Sequence, residues 1–283
     1  MMGARIIKLT ISLFVAASDW LRSRFGQLLG RPTRGTCVVL AFHSVTPEQR
    51  ARFARHMDAL SLLAKPIRAD VKFPPDGGVR HVAITFDDGL QSAVDNALPE
   101  LQQRGIPCTL FIVTEVLGGY PNWQSFESGN SSREKVMSEE QLCGLPSDLV
   151  AVGSHTMTHP ALTAVDEERL EREISGSRKK LEKILNREVR LFSFPYGAFN
   201  ERVVRRCREA GYERVFSALP VLAFSEPQEF LTGRVGAGAT DWPIEFRLKL
   251  AGAYRWLPYA FTLKRRILSS FSGRALLKAG IRT

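Results

Sequence analysis

The 283-residue sequence has no CxxC pair, no internal repeat and no low-complexity tract. Its four cysteines, Cys37, Cys108, Cys143 and Cys207, lie far apart, which argues against a disulfide framework and an all-cysteine zinc site. Isolated cysteines of this kind are expected as buried free thiols, a usage that fits a reducing compartment. Long apolar runs are also missing. Near the N-terminus the longest uncharged stretch is Leu9–Ser18, well short of the roughly 20 residues a bilayer-spanning helix needs. Histidine is scarce, with five in the chain and none after His159. With 44% hydrophobic, 24% charged and 9% aromatic residues, the composition is that of a globular chain, not a disordered or polytopic membrane one.

What is abundant is positive charge, and it is unevenly placed. The net charge is +10, yet residues 1–35 carry +5, residues 246–283 carry +9 with no acid at all, and residues 36–245 are at −4. A nucleic-acid-binding domain would carry its positive charge on the folded body. Basic ends interleaved with apolar residues instead suggest membrane-surface segments. The sequence therefore divides into a basic amphipathic N-terminal helix (1–35), a body (36–245) and a basic amphipathic C-terminal segment (246–283).

At the N-terminus, Ile6, Leu13, Phe14, Ala17, Leu21, Phe25 and Leu28 recur at helical spacing up to Gly30-Arg31-Pro32, as one interfacial helix would. Two other readings stay open. One is a signal peptide cut near Ala16-Ala17-Ser18, which would place the protein in the cell envelope. The other is a helix packed on the body. The C-terminal segment, with Phe246, Leu248, Trp256, Tyr259 and Phe261 among Arg and Lys, reads either as a headgroup-level anchor or as a packed helix with a solvated basic face. Unpaired thiols and basic ends favour the cytoplasmic face of a membrane.

The body alternates strands and helices. Strands are expected at 36–42, 79–86, 107–113, 149–153, 189–194 and 211–217, with helices at 49–63, 91–104, 138–143, 166–185 and 200–210, and a loop insertion at 115–135. Repeated βα units imply an α/β fold with a parallel sheet, open or closed into a barrel, and chemistry gathers where such strands end. Four strand ends stand out. Thr85-Phe86-Asp87-Asp88-Gly89 places two carboxylates side by side, where they repel unless a cation or proton intervenes. Ser154-His155-Thr156-Met157-Thr158-His159-Pro160 places two histidines four apart, with Pro160 disfavouring a helix at His159. Two imidazoles and one carboxylate form a metal site with an open position, the catalytic pattern. Phe192-Ser193-Phe194-Pro195-Tyr196-Gly197 offers a proline-stiffened turn and a backbone N–H, and His43 ends the first strand.

TFDDG, SHTMTHPAL and FSFPYG, in this order, resemble the NodB homology family of polysaccharide deacetylases over about residues 36–240. The resemblance implies a distorted (β/α) barrel of about seven parallel strands. It also implies removal of N-acetyl groups from amino-sugar polysaccharides, oligosaccharides or lipid-linked glycans. By the same resemblance Asp87 is the general base and Asp88, His155 and His159 hold a divalent metal, usually Zn2+. The backbone N–H of Tyr196 meets the oxyanion, and Pro195 and Tyr196 border the substrate. The chain departs from the family pattern twice. Many members carry an arginine two residues before the proline of the third motif, where this chain has Ser193; Arg234 is the candidate replacement cation. The late Leu-x-x-His-Asp motif is absent, which leaves His43 as candidate acid or substrate contact. These departures keep two alternatives in view: a deformylase of a lipid-linked amino sugar, and a sugar-binding barrel without catalysis.

Overall fold

The computed structural model describes residues 2–31, 35–72, 78–123 and 134–263. Its strands are β1 (Thr36–Phe42), β2 (Lys65–Pro66), β3 (Arg80–Phe86), β4 (Cys108–Ile112), β5 (Val150–Ser154), β6 (Leu191–Ser193), β7 (Arg214–Phe216), β8 (Leu231–Thr232) and β9 (Val235–Gly236). The helices are α1 (Met2–Leu28), α2 (Arg50–Leu63), α3 (Leu98–Gln103), α4 (Glu139–Cys143), α5 (Glu167–Glu171), α6 (Ser177–Leu185), α7 (Glu201–Glu209) and α8 (Pro243–Leu250). The strands are all parallel, in the order β8-β7-β6-β5-β4-β3-β1-β9, with β2 also pairing β3. Parallel strands need both faces covered, and every residue of β1 and β3 after the first is buried, with no alternation between buried and exposed positions.

The last two strands explain the curvature of the sheet. β8 pairs β7 at one end of the ladder, and β9 pairs β1 at the other. Only Gly233 and Arg234 separate them, and three Cα steps span at most about 11 Å. The two edges of the sheet therefore meet. One extended run, 231–236, spends its first half on β7 and its second half on β1. Counting that run as one, seven strand positions surround the axis, as the family resemblance implies. Glycine is required at this seam: a Cβ on Gly233 would lie 2.4 Å from the Leu219 carbonyl oxygen and 2.3 Å from the Val221 side chain.

Strand alternation sorts the core into two layers. Val38, Leu40 and Phe42 of β1 pack outward with Phe53, Met57 and Leu60 of α2. Cys37 and Val39 point the other way and join Ala83, Phe111, Leu191 and Phe216. Two helices carry π-bulges, at Ala93–Ala97 before α3 and at Arg172–Gly176 between α5 and α6. The expected helices 91–104 and 166–185 are thus present but interrupted.

The boundary drawn at residue 246 falls inside α8. Phe246, Leu248 and Leu250 are buried in the same core as the barrel strands, and Phe246 stacks on His56 of α2 at 4.3 Å. Lys249 is buried too, because Asp241 accepts from its Nζ at 2.7 and 2.8 Å. The start of the C-terminal segment is therefore core, and residues 264–283 lie outside the described residues. α1 docks along Arg5, Leu9, Ser12, Ala16 and Asp19, a three-and-four seam. Arg5 bonds Glu245 of α8 at 2.6 Å, Trp256 Nε1 donates to Ser12 Oγ at 3.0 Å, and Arg255 bonds Asp19 at 2.6 Å.

Candidate active site

The four strand ends converge. His43, Asp87, Asp88, His155, His159, Tyr196 and Arg234 all line one cavity of about 210 Å3 at the carboxyl end of the sheet. Thr85 and Asp87 share a face because strand neighbours alternate, so both side chains face the barrel axis at the C-terminal end of β3. Asp88 is then swung to the same mouth by a left-handed backbone, φ 68°, followed by Gly89 at φ 66°. His159 (φ 62°) and Tyr196 (φ 58°) adopt the same uncommon conformation. Non-glycine residues held there cost on the order of 1 kcal/mol each, and here three of them surround a single cavity.

Asp88 Oδ1 lies 3.2 Å from His159 Nε2 and 3.5 Å from His155 Nε2. One donor atom from each of the three residues falls within 4.8 Å of the others, and all three side chains are buried. Asp88 Oδ1 and His159 Nδ1 have no hydrogen-bond partner among the described residues. Buried polar atoms are seldom left so. The His155 ring is oriented by its Nδ1 contact to the Ser193 carbonyl oxygen at 2.8 Å. A backbone carbonyl there takes the Nδ1–H and leaves Nε2 with its lone pair facing Asp88, the arrangement metal-binding histidines use. Burial pulls the His155 pKa down to about 4, against the opposing pull of Asp87, so the ring is neutral at neutral pH. An acceptor-only carboxylate with an orphaned oxygen, set beside two imidazole Nε2 atoms at this spacing, fits a divalent ion such as zinc.

Asp87 is held differently. Arg234 Nη1 donates to Oδ1 and Nη2 to Oδ2, both at 2.7 Å, a bidentate clamp. The guanidinium also donates to Thr85 Oγ1 at 3.0 Å and Ser193 Oγ at 2.7 Å, and it lies over the rings of Phe111 and Phe216. It is 2% exposed. Burial pushes the Asp87 carboxyl up; the charge of Arg234 and the hydrogen bonds it donates outweigh this and hold the group well below the usual carboxylate range. Asp88 is also held low: burial raises it, and the close contacts with His159 and His155 outweigh that effect.

Pro195, expected to border substrate, is buried beneath the turn; Tyr196 and Gly197 form the wall instead. Its ring fixes the turn that turns Tyr196 outward, so it shapes the wall without touching the cavity. Gly197, at φ 63°, would place a Cβ 2.5 Å from that of Ala218. Asp241 lies away from the cavity, paired with Lys249.

Residues 75–215, about half of the chain, match the polysaccharide deacetylase family model. The chain belongs to the polysaccharide deacetylase family. It is 30% identical over 149 residues to the chitooligosaccharide deacetylase of Rhizobium leguminosarum bv. trifolii, covering 52% of this chain and 61% of that protein. It is 28% identical over 154 residues to the poly-beta-1,6-N-acetyl-D-glucosamine N-deacetylase of Staphylococcus epidermidis, covering 52% of this chain and 49% of that one. The matched stretch thus spans about half to three fifths of these relatives. Among solved structures, IcaB from Ammonifex degensii superposes with a TM-score of 0.61 at 23% identity, over 77% of this chain and 97% of its own. The polysaccharide deacetylase BC0361 from Bacillus cereus also gives 0.61, at 21% identity, over 77% of this chain and 69% of its own. At such identities the likeness is one of fold.

Two further residues of this deacetylase-family domain shape the site without a motif in the sequence that marks them. Ser193, where many members carry an arginine, lies behind the cavity lining; its hydroxyl oxygen accepts from Arg234 Nη2 and its carbonyl oxygen meets His155 Nδ1. Trp123 stacks on His159 with ring centroids 4.5 Å apart and planes 19° apart. Its only sequence signal was an aromatic residue in a loop insertion otherwise rich in Gly, Ser and Asn.

Proposed function

We propose that the chain is a divalent-metal-dependent hydrolase that removes N-acetyl groups from amino sugars in a polysaccharide, an oligosaccharide or a lipid-linked glycan. The observation that carries this reading is the buried Asp88–His155–His159 cluster beside an ionised Asp87 in one open-mouthed cavity. Asp88, His155 and His159 would hold the ion, zinc being the best match to two imidazoles and a carboxylate. When bound, such an ion supplies Lewis-acid chemistry to the amide carbonyl and to the attacking water.

The chain's own residues then have distinct tasks. Asp87, which is not needed as a ligand, accepts the proton of the attacking water at its carboxylate. Arg234 positions that carboxylate and keeps it ionised. The backbone N–H of Tyr196 faces the developing oxyanion. His43, which follows β1 and lines the same cavity, is the candidate to protonate the departing amine. Trp123 and Tyr196, on either side of His159, offer ring faces to a sugar.

The test is acetate release from a panel of N-acetylated oligosaccharides, with metal content measured on the same preparations. Bound metal, acetate release, and a loss of about 10²-fold or more in Asp87→Asn support the reading. Formate in place of acetate would select a deformylase. Metal binding without either product would leave a sugar-binding barrel.

A further inference from the structure

The surface feature that the active site does not absorb is α1 and what adjoins it. From Trp20 onward the helix makes few contacts: every described residue of 20–30 is exposed except Gly26. Residues 20–28 extend about 14 Å beyond the last docked position at a rise of about 1.5 Å per residue. Ten large apolar side chains between Met2 and Leu29 are exposed, among them Phe14 at 73%, Trp20 at 60% and Phe25 at 64%. Phe14, Leu21, Phe25 and Leu29 line an open groove of about 660 Å3, with Arg22 and Arg31 on its rim. Monomeric surfaces seldom leave a contiguous patch of this kind. The patch continues onto the helical stretch 257–263, where Tyr259, Phe261 and Leu263 are 57–77% exposed. Trp256 and Arg255 fasten that stretch to Ser12 and Asp19, so the two apolar surfaces adjoin.

Among the described residues of α1 the charge left without an ion-pair partner is positive. Asp19 is the only acid in residues 1–35, and Arg255 already pairs with it. Lys8, Arg22, Arg24 and Arg31 have no carboxylate within ion-pair distance among the described residues. Arg24 lies over the Trp20 ring at 5.7 Å, a pairing of cation and aromatic suited to the headgroup layer. No described helix is long and apolar enough to cross a membrane.

We propose that α1 and the stretch 257–263 form one docking surface for a lipid bilayer bearing anionic headgroups, with α1 lying in the plane of the interface. The apolar stripe enters the acyl boundary while Lys8, Arg22, Arg24 and Arg31 meet the anionic groups. The seam Leu9–Ser12–Ala16 keeps the barrel fastened to the helix. This surface is independent of the chemistry proposed above.

Flotation of the full chain with two kinds of vesicle tests it. The protein is expected to float with phosphatidylcholine–phosphatidylglycerol vesicles, far less with phosphatidylcholine alone, and less again at about 1 M salt, where screening acts within about 3 Å. The variant Phe14→Ser/Leu21→Ser/Phe25→Ser leaves the docked seam intact. It should keep its melting temperature and lose about tenfold or more of its vesicle affinity. Arg22→Glu/Arg24→Glu should abolish the preference for anionic vesicles. Equal flotation of wild type and the triple variant overturns the proposal. So does an absence of flotation, whether the chain is monomeric or, by light scattering, a dimer that the triple variant dissociates; the second result would assign the stripe to a second copy of the chain.

Discussion

Replacing Arg234 by Met separates the clamp from the space it fills. The native carboxylate of Asp87 receives two guanidinium hydrogen bonds in a setting where Asp87 is 5% exposed and Arg234 2%. Removing one member of a buried pair leaves the other charged and unpaired, which costs about 3–5 kcal/mol. Thr85 Oγ1 and Ser193 Oγ also lose their donor. The pH dependence carries the diagnosis. In the native chain Asp87 is depressed, so its contribution to stability is present above its unfolded pKa of about 3.9 and is lost only as pH falls through the lower folded value. Without Arg234, burial is the strongest influence left, and the folded pKa rises above the unfolded one. The sign then reverses: in the variant, the contribution of Asp87 to stability is greatest below about pH 4 and is lost as pH rises towards neutrality. Urea unfolding of the two proteins between about pH 4 and 8 should therefore diverge with increasing pH, and Asp87→Asn in the Arg234→Met background should recover most of the deficit at pH 7. A variant that loses under about 1 kcal/mol, with a difference from wild type that does not change with pH, would refute the argument that the guanidinium is what keeps Asp87 charged.

Other perturbations have equally direct readouts. Glu173 is fully buried and accepts from the backbone N–H of Met157 and Thr158 at 2.9 and 2.8 Å and from Thr158 Oγ1 at 2.6 Å, so it sets the loop between His155 and His159. Glu173→Ala should cost about 2–4 kcal/mol and weaken zinc binding measured calorimetrically on the refolded apoprotein, with Glu173→Gln intermediate. Gly153→Ala would bring a Cβ within 2.5 Å of the Phe111 ring and 3.0 Å of the Leu191 carbonyl, and should lower the melting temperature by an amount equivalent to about 1–3 kcal/mol. Zinc at about 100 times its dissociation constant should stabilise the wild type by about 2.7 kcal/mol in thermal melts and leave His155→Ala/His159→Ala unmoved. Burial holds His56, stacked on Phe246, down at about 4, so the protein should lose stability as pH falls from about 6.5 towards 4, and His56→Leu should flatten that part of the profile.

The parts of the site that could be read from the sequence are those in which chemistry and strand end coincide locally. Asp87 and Asp88 follow the apolar run of β3 directly, and His155 and His159 flank the turn after β5, so a rule about βα units was enough to place them at one mouth. The contributions that stayed hidden depend on contacts distant in sequence. β8 and β9 are two residues each and become strands only because β7 and β1 offer them ladder partners. Lys249 looked like part of a solvated basic face because nothing local marks Asp241 as its buried partner. Trp123 reaches His159 from an insertion with no periodic pattern.

Arg234 belongs to both groups, and it shows why fold and site are linked in this chain. The missing arginine near the third motif leaves Asp87 without a local cation in the sequence, and Arg234, which follows a later apolar stretch, is the candidate replacement. The geometry supplies the reason such a distant replacement works. Arg234 occupies the two-residue junction at which the final run of chain leaves β7 for β1, so it projects from the closing seam of the barrel towards its axis. Ser193, small and hydroxylated, leaves the guanidinium room and accepts one of its hydrogen bonds. The same residue hands its carbonyl oxygen to His155. A larger side chain at 193 would compete with Arg234 for that space, so Ser193→Arg should not restore the clamp but displace it. In that variant Asp87 would retain a cation while the seam lost its anchor, and stability should fall even where the carboxylate stays ionised. Ser193→Ala, which removes only the hydroxyl, should cost about 1–3 kcal/mol and leave the Asp87–Arg234 pair in place. If instead Ser193→Arg/Arg234→Met were as stable as the wild type, the position of the cation would be interchangeable and the coupling between barrel closure and the site would be disproved.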